Sequence, residues 1–480
     1  VKPYKDQEAV LRNYDPYKKT ILFILSLINI LLMTFLFSWF WYHFFAGTMY
    51  TYRFYRRGNY VIIGLYALFL IFFGRMYGAT KLGQLRRIEV ILSQFLSIFI
   101  SNVVTYIIIS LLAFRFINVV PFLVMTLGDF LITTLWYFGS SSLYGHIFKS
   151  WKILLIYGER QASDLVYKVE ERRDKYAISD AIHVSEGLDK IAKKAKDYEA
   201  VIIGDISAQD RNDVLKFCYS NGIRAYVIPK ISDIILMGSD RIHIFDTPFL
   251  LTKGYSLSFD QEFAKRFLDL VIAIPMLILA SPFMLLTAAA IKLYDKGPVF
   301  YKQIRCTKNG KPFEIIKFRS MIINAEKEGG AQLAKANDSR ITPIGRFIRS
   351  TRIDELPQLF NIIKGDMSFV GPRPERPEII KEYMENMPEF SFRLRVKAGL
   401  TGFAQIYGKY NTVPYDKLKL DLFYIENYSL WLDIKLILMT VKTILKKDST
   451  EGISSNQVTA AKEGSSANVM DVVEEIKKRK

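Results

Sequence analysis

Five long apolar runs, at roughly residues 20–46, 60–78, 88–113, 116–142 and 261–294, constrain this chain more than any other feature. The first four can each be read as near the ~20 residues with which a helix crosses a bilayer core. The first four follow a polar tail, residues 1–17, and predict a transmembrane four-helix bundle over residues 18–148. Basic residues set its orientation. Lys18, Lys19, Arg75, Lys81, Arg86, Arg87, Lys149 and Lys152 fall on one side, against Arg53, Arg56, Arg57 and Arg115 on the other. The richer side is expected in the cytoplasm, so both ends of the bundle face it. Asp129 lies within the fourth run. A carboxylate at membrane depth is a functional candidate, although a satisfied buried polar group or an interfacial position fits it better.

The chain has 480 residues, enough for about three domains. Its net charge of +18 suits nucleic acid or an anionic membrane surface. The basic residues distribute around the apolar runs, which selects the membrane and leaves no nucleic-acid partner. The cysteines, Cys218 and Cys306, are far apart and offer neither metal-type spacing nor a disulfide framework. That suits reducing cytoplasm. The last histidine is His243, so acid–base work beyond it must fall to carboxylates.

Residues 149–255 change character. WKILLIYG (Trp151–Gly158), AVIIGD (Ala200–Asp205) and AYVIP (Ala225–Pro229) read as strands, with helical patterns to about Arg173 and over Asp210–Gly222. The alternation predicts a parallel sheet in a Rossmann-like α/β domain. The turn GERQAS (Gly158–Ser163) has one glycine where a dinucleotide fingerprint wants three. The domain is therefore read as degenerate, serving regulation or assembly.

The fifth run carries Pro275 and, near its middle, Ser281-Pro282. An interior proline removes a backbone hydrogen bond and kinks a helix. Hydropathy alone fits a kinked spanning helix. The symmetric basic flanks (Lys265 and Arg266 before, Lys292 and Lys296 after) and the break at Ser281 and Pro282 favour a re-entrant helix that returns to the side it entered. Residues 256–446 are then one α+β catalytic domain carrying that helix. Residues 447–480 read as a disordered tail that could hold a short helix. After the helix, VFYKQIR (Val299–Arg305) and PFEIIKFRS (Pro312–Ser320) flank Asn309-Gly310, a hairpin signal. Lys317 and Arg319 alternate with Phe318 and should share a face, suited to solvent or to phosphate. Ala325–Ser339 is a polar insertion.

The densest chemistry lies in Arg346–Pro377, RFIRSTRIDELPQLFNIIKGDMSFVGPRPERP. Pro357 fits only the first turn of a helix. A helix should therefore start near Ile353–Leu356, with Asp354 and Glu355 at its positive end. An ionised aspartate can attack phosphorus or hold Mg²⁺. Arg346, Arg349 and Arg352 precede the pair, and Arg373 sits between Pro372 and Pro374. Arginines clamp phosphate oxygens through paired N–H donors. An ordinary acidic helix start with solvated arginines has the same pattern.

Three motifs in order, KFRSM (Lys317–Met321), IDELPQLFNIIKGDMSFVGPRP (Ile353–Pro374) and KAGLTGFAQIYG (Lys397–Gly408), resemble the bacterial sugar transferase family, monotopic phosphoglycosyl transferases acting on polyprenyl phosphate. The likeness runs from about Asp260 to Leu445. Long members of that family add a membrane bundle and a nucleotide-fold-like domain upstream. The resemblance implies transfer of a hexose-1-phosphate from a UDP-sugar to undecaprenyl phosphate, with release of UMP, at the start of surface polysaccharide assembly. It implies Asp354 as covalent nucleophile and Mg²⁺ ligand, and Glu355 as its partner in proton handling or in preparing the acceptor. Arg349 and Arg373 would hold phosphate oxygens, and Lys317, Arg319 and Gln405 are further phosphate or substrate contacts. It also supports the re-entrant helix. The expected site is a bacterial cytoplasmic membrane, with both soluble domains on its cytoplasmic face, and the added domains are compatible with a homodimer.

Two departures stand out: Gly408-Lys409-Tyr410 where the family commonly has Gly-Arg-Asn, and Thr307 where it often has glycine. Lysine lacks arginine's bidentate fork, so no role passes to Lys409. Tyr415–Leu445 has helical patterning that suits either the membrane interface or a core. Two other functions stay open: a membrane glycosyltransferase that releases UDP, and a non-enzymatic scaffold for polysaccharide assembly.

Overall fold

The first four apolar runs form helices: α1 (Lys18–Phe40), extended by a π-turn to Phe45, α2 (Arg56–Tyr77), α3 (Arg87–Leu112) and α4 (Val120–Ile147). All four are long and apolar enough to cross a membrane. The computed structural model describes residues 16–48, 56–148, 150–158, 162–172, 174–254, 256–323, 338–408, 412–445 and 469–478. Arg53, Lys149, half of the GERQAS turn (residues 159–161), most of the polar insertion, Lys409 and residues 446–468 lie outside these. The chain divides into two units, residues 1–228 with 464–480, and residues 229–463.

In the first unit the bundle turns apolar side chains outward, among them Phe35, Leu111, Leu127 and Leu131, and polar ones inward, among them Ser97, Ser101, Asn102 and Thr133. Lipid rather than water is the solvent that favours this arrangement. Asp129 is buried in it. Its Oδ2 accepts hydrogen bonds from the Tyr66 hydroxyl and the Asn102 amide, each 3.1 Å long. Its Oδ1 is buried without a hydrogen-bond partner, so Asp129 is buried and bonded through one oxygen but is not the satisfied polar group expected.

Below the bundle lies a four-stranded parallel sheet, β1 (Trp151–Tyr157), β2 (Tyr176–His183), β3 (Ala200–Ile203) and β4 (Arg224–Val227), in the order β2-β1-β3-β4. β2 escaped the sequence reading because YAISDAIH is an edge strand with polar residues at its centre, not a continuous apolar run. α6 (Leu188–Ala195) and α7 (Ala208–Ser220) bury Ile191, Ala195, Val214 and Cys218 on one face. On the other face Val166 of α5 (Ser163–Glu170) is joined by Val469, Val472 and Val473. These belong to a C-terminal helix, Val469–Lys478, so the end of the chain supplies a layer of this domain. The turn after α5 meets the bundle at the basic α2–α3 loop: Arg172 donates to the Gly83 carbonyl at 3.0 Å, and Arg86 pairs with Glu171.

The second unit begins at residue 229. α8 (Ile231–Met237) buries Ile234 in the core of this unit, and Gly238 approaches so close to Glu426 that a Cβ would lie 2.6 Å from its carbonyl oxygen. A hairpin, β5 (Asp240–Ile244) and β6 (Thr247–Leu251), follows. Then comes α9 (Phe259–Asp295), opened by a Ser258–Gln261 capping box. The Ser281-Pro282 step does not end the helix, which runs continuously for 37 residues. Pro282 has no N–H for the Ile278 carbonyl, and the Ser281 hydroxyl donates to that carbonyl instead, at 2.8 Å.

Both ends of α9 are tied to the same unit. Near its start, Lys265 pairs with Asp433 at 2.7 Å, Arg266 donates to the Ile362 and Ile363 carbonyls at 2.6 Å each, and Asp269 accepts from Ser368 Oγ and Phe369 N. At its end, Asp295 pairs with Arg319. Between these ends Ile278, Leu279, Phe283, Leu285 and Leu286 are exposed. The predicted hairpin forms as β7 (Phe300–Cys306) and β8 (Pro312–Phe318), with Asn309 and Gly310 both at positive φ. The remaining elements are α10 (Pro343–Ser350), α11 (Gln358–Lys364), β9 (Ser368–Val370), α12 (Pro377–Asn386), β10 (Gly399–Thr401), α13 (Phe403–Tyr407), α14 (Pro414–Glu426) and α15 (Leu430–Ile444). Leu359, Ile362, Phe369, Leu418, Leu422 and Leu436 form their shared core.

The Lys265–Asp433 pair is buried on both sides. Lys265→Ala leaves Asp433 buried without its counter-charge and should destabilise this unit by about 3–5 kcal/mol. Lys302→Ala breaks an exposed pair with Glu314 and should cost at most about 1 kcal/mol. Denaturant titration of both variants in detergent checks the contrast.

Candidate active site

Asp354 and Glu355 lie not in a helix but in a 3-10 turn, Ile353–Glu355, placed between α10 and α11. Pro357 is the N-cap residue of α11, one step outside the expected first turn. The turn is aimed by Arg352, which holds a left-handed conformation at φ 60° without being glycine. Backbone strain of this kind persists only where the surroundings enforce it. α11 itself is pinned on both sides. Asn361 acts as a side-chain bridge to β8: its Oδ1 accepts from Ile316 N at 3.1 Å and its Nδ2 donates to the Glu314 carbonyl at 2.7 Å. Arg266 covers the carbonyls at the other end of the helix. This fixes the register of the turn against β8 and so sets Glu355 beside Lys317.

The result is a compact ion cluster. Lys317 Nζ lies 3.0 Å from Glu355 Oε1, and Arg373 Nη2 lies 3.1 Å from the same oxygen. Burial alone would raise the Glu355 pKa, but Lys317, Arg373 and Arg352 outweigh it and hold the carboxyl well below its usual range. Asp354 goes the other way. Burial first and the neighbouring Glu355 charge second push it up to about 6, against the pull of Lys317, Arg349 and Arg352. Its Oδ1 is buried and has no hydrogen-bond partner. Two adjacent carboxyls are thus driven apart, one locked as a structural anion and one left with an unsatisfied oxygen. In the structure Glu355 is the shared acceptor on which Lys317 and Arg373 meet.

Of the residues singled out in the sequence, Asp354, Glu355, Lys317, Arg349 and Arg373 converge here. Arg319 does not join them through any hydrogen bond. It is buried with its guanidinium on Asp295, and Gly297 leaves the space, since a Cβ there would lie 2.6 Å from Arg319 Nη1. β8 ends at Phe318, so the alternation that placed both basic residues on one face stops before Arg319. Gln405, on α13, donates to the Leu400 carbonyl at 3.2 Å and leaves Oε1 buried and unpaired. Ser281 and Pro282 lie far along α9, with the bond described above. Thr307, where glycine was the expected residue, is a stitch: its hydroxyl donates to the Asp366 carbonyl at 2.9 Å and accepts from Ala398 N at 3.1 Å.

The sequence reading missed Arg393, Asp421, Glu375 and Lys417, a buried charge network behind the GPRPERP segment. Only Glu375 lay in a motif. Lys417 and Asp421 are single charges in a helical pattern, and Arg393, in a 3-10 turn, lies between the elements read, so none carries a local signal.

For Mg²⁺, the unpaired Asp354 Oδ1 is a hard oxygen of the right kind. Among the described residues no three His, Cys, Asp or Glu side chains cluster for a metal. This donor set fits Mg²⁺, which is commonly held by one or two carboxylates together with substrate phosphates.

Residues 260–447 match the family model described as bacterial sugar transferase. The chain is 38% identical over 266 residues to the UDP-N-acetylgalactosamine-undecaprenyl-phosphate N-acetylgalactosaminephosphotransferase of Aeromonas hydrophila, covering 54% of this chain and 62% of that protein. It is 40% identical over 205 residues to the UDP-glucose:undecaprenyl-phosphate glucose-1-phosphate transferase of Klebsiella pneumoniae, covering 42% of each. A Caulobacter vibrioides protein of the same description is 40% identical over 193 residues, covering 39% of this chain and 72% of the relative. The matched stretch thus spans about half the length of the first two.

Carboxyl titration followed by carbon NMR should find Asp354 changing charge near pH 6 and Glu355 still ionised well below it. Two ordinary titrations near pH 4 would dissolve the coupled pair. The sign for stability follows. Asp354's raised value makes its contribution complete below its unfolded pKa and lost as pH rises through about 6. Glu355's depressed value contributes above its unfolded pKa and fades as pH falls toward the folded one.

Proposed function

The chain belongs to the bacterial sugar transferase family, and from that premise we propose that it transfers a hexose-1-phosphate from a UDP-sugar to undecaprenyl phosphate, releasing UMP, as a first membrane step of surface polysaccharide synthesis. The observation that carries this reading is the bare, buried Oδ1 of Asp354 beside a glutamate that anchors two cations.

Asp354 attacks the phosphorus attached to the sugar. The bond from that phosphorus to the oxygen bridging the two phosphates breaks, and UMP leaves with the bridging oxygen. The sugar phosphate then sits on the aspartate as an acyl phosphate. A phosphate oxygen of undecaprenyl phosphate attacks the same phosphorus, the aspartyl bond breaks, and undecaprenyl-diphospho-sugar and free Asp354 result. Lys317 and Arg373, oriented by Glu355, and Arg349 stabilise charge on the phosphate oxygens as it shifts toward the leaving group. Arg319 and Gln405 serve in support, outside this cluster. Asp354 would hold Mg²⁺, which when bound supplies charge neutralisation of the diphosphate.

We read α9 as re-entrant. Both its ends are bonded to one folded unit, and Pro275 and Pro282 inside it are where such a helix can bend back toward the side it entered. A helix crossing the bilayer would part those ends. The exposed apolar stretch between them suits the membrane, which puts the active site where a lipid phosphate meets a soluble UDP-sugar. The parallel-sheet domain is taken as a degenerate Rossmann-like module on the cytoplasmic face of the inner or plasma membrane, and a homodimer is compatible with it.

Nucleotide release tests the reaction. With undecaprenyl phosphate, Mg²⁺ and a panel of UDP-sugars, including UDP-N-acetylgalactosamine and UDP-glucose, one donor should yield UMP. Asp354→Asn should lower that rate on the order of 10³-fold or more. The rate should also decline as pH falls through about 6, because Asp354 must be ionised to attack. Release of UDP would mean glycosyl transfer instead, and a silent panel from folded protein would favour a scaffold.

A further inference from the structure

The stretch Pro372–Glu375, which carries Arg373, belongs to no helix or strand. Two of its four residues are prolines without N–H groups. It is held through its carbonyls. Pro372 O accepts from Gly399 N at 3.0 Å, Arg373 O from Arg393 Nη2 at 2.9 Å, Pro374 O from Arg305 Nη1 at 3.2 Å, and Glu375 O from Cys306 N at 3.0 Å. One of these bonds falls on Arg373 itself. Its side chain reaches Glu355 while its carbonyl is held by Arg393.

Arg393 is 2% exposed and is itself fixed. Its Nε donates to Asp421 Oδ2 at 3.0 Å, and its Nη2 lies 2.8 Å from the same carboxylate. Nη2 therefore carries two bonds, one to Asp421 and one to the backbone of Arg373. Nη1 lies 3.6 Å from Glu375, whose carboxylate also meets Lys417. Asp421 is 1% exposed, on α14. A planar guanidinium can present several N–H groups at fixed angles, whereas a lysine offers one rotating point charge.

We propose that Arg393 and Asp421 are positioning residues for Arg373, and through it for the phosphate-binding cluster. They fix the backbone from which Arg373 reaches Glu355. The role in catalysis rests on the transfer reaction proposed above. The clamp itself does not.

The test compares wild type, Arg393→Lys, Asp421→Asn, Arg373→Ala and the double variant Arg373→Ala/Arg393→Lys. Arg393→Lys should lower kcat for UMP release by roughly tenfold or more with a smaller change in KM, the cost of a misplaced group. Asp421→Asn keeps an acceptor oxygen and should move in the same direction by less. The double variant should be no slower than Arg373→Ala alone, because Arg393 acts through Arg373. Hydrogen exchange in the peptide spanning residues 371–376 should quicken in Arg393→Lys at a temperature where the variant remains folded.

Losses that multiply in the double variant, or wild-type kcat and exchange in Arg393→Lys, would overturn the proposal. Should the wild type release no UMP, the reaction assignment falls and exchange alone decides the clamp: faster exchange supports it and unchanged exchange overturns it. If Arg393→Lys does not fold, Asp421→Asn is judged by the same two readouts.

Discussion

The second unit depends on the charged first turns of α9. Lys265, Arg266 and Asp269 project from one apolar helix into three different places: the Asp433 carboxylate, the last carbonyls of α11, and the start of β9. An apolar helix could slide along a membrane surface or a protein groove at little cost. Three polar contacts, two of them made by buried charges that would be expensive to leave unpaired, stop it from sliding. α11 follows the carboxylate pair and β9 precedes the Arg373 segment, so one helix surface fixes both approaches to the ion cluster.

Within the cluster, the arrangement separates two neighbouring acids by giving them unequal company. Glu355 receives Lys317 and Arg373 directly, while Asp354 receives burial and the repulsion of Glu355. In the proposed transfer this division suits a nucleophile that must carry negative charge yet is not neutralised by a standing ion pair. The two cations remain close and already oriented, so little reorganisation is needed as charge moves onto the departing phosphate.

The bundle and the α/β domain form a separate unit with its own logic. The bundle hides polar side chains and shows apolar ones, and the sheet is covered on one face by α5 and the helix from the far end of the chain. That helix makes the first unit discontinuous in sequence, with the whole of the second unit inserted between its parts. A short amphipathic segment can serve this way because a parallel sheet must be covered on both faces to exclude water.

Much of this protein was legible from residue order alone, wherever the physics is local. Long apolar runs become helices because the backbone must bond to itself in lipid. Asn309-Gly310 turns a hairpin because both positions take positive φ, and the parallel strands declare themselves as continuous apolar runs. The family could be recognised because its motifs stand in order. What tertiary structure decided depends on groups distant in sequence meeting in space. β2 is an edge strand whose polar centre hid it. Val469–Lys478 gains its place only from the sheet it covers. Asp354 and Glu355 look alike in sequence and differ because Lys317 and Arg373 hydrogen-bond to Glu355 and not to Asp354. Arg319, set beside Lys317 by alternation, turns to Asp295 because the strand ends before it. Arg393 and Asp421 carry no motif at all, and their role arises from burial against a carbonyl twenty residues away from Arg393.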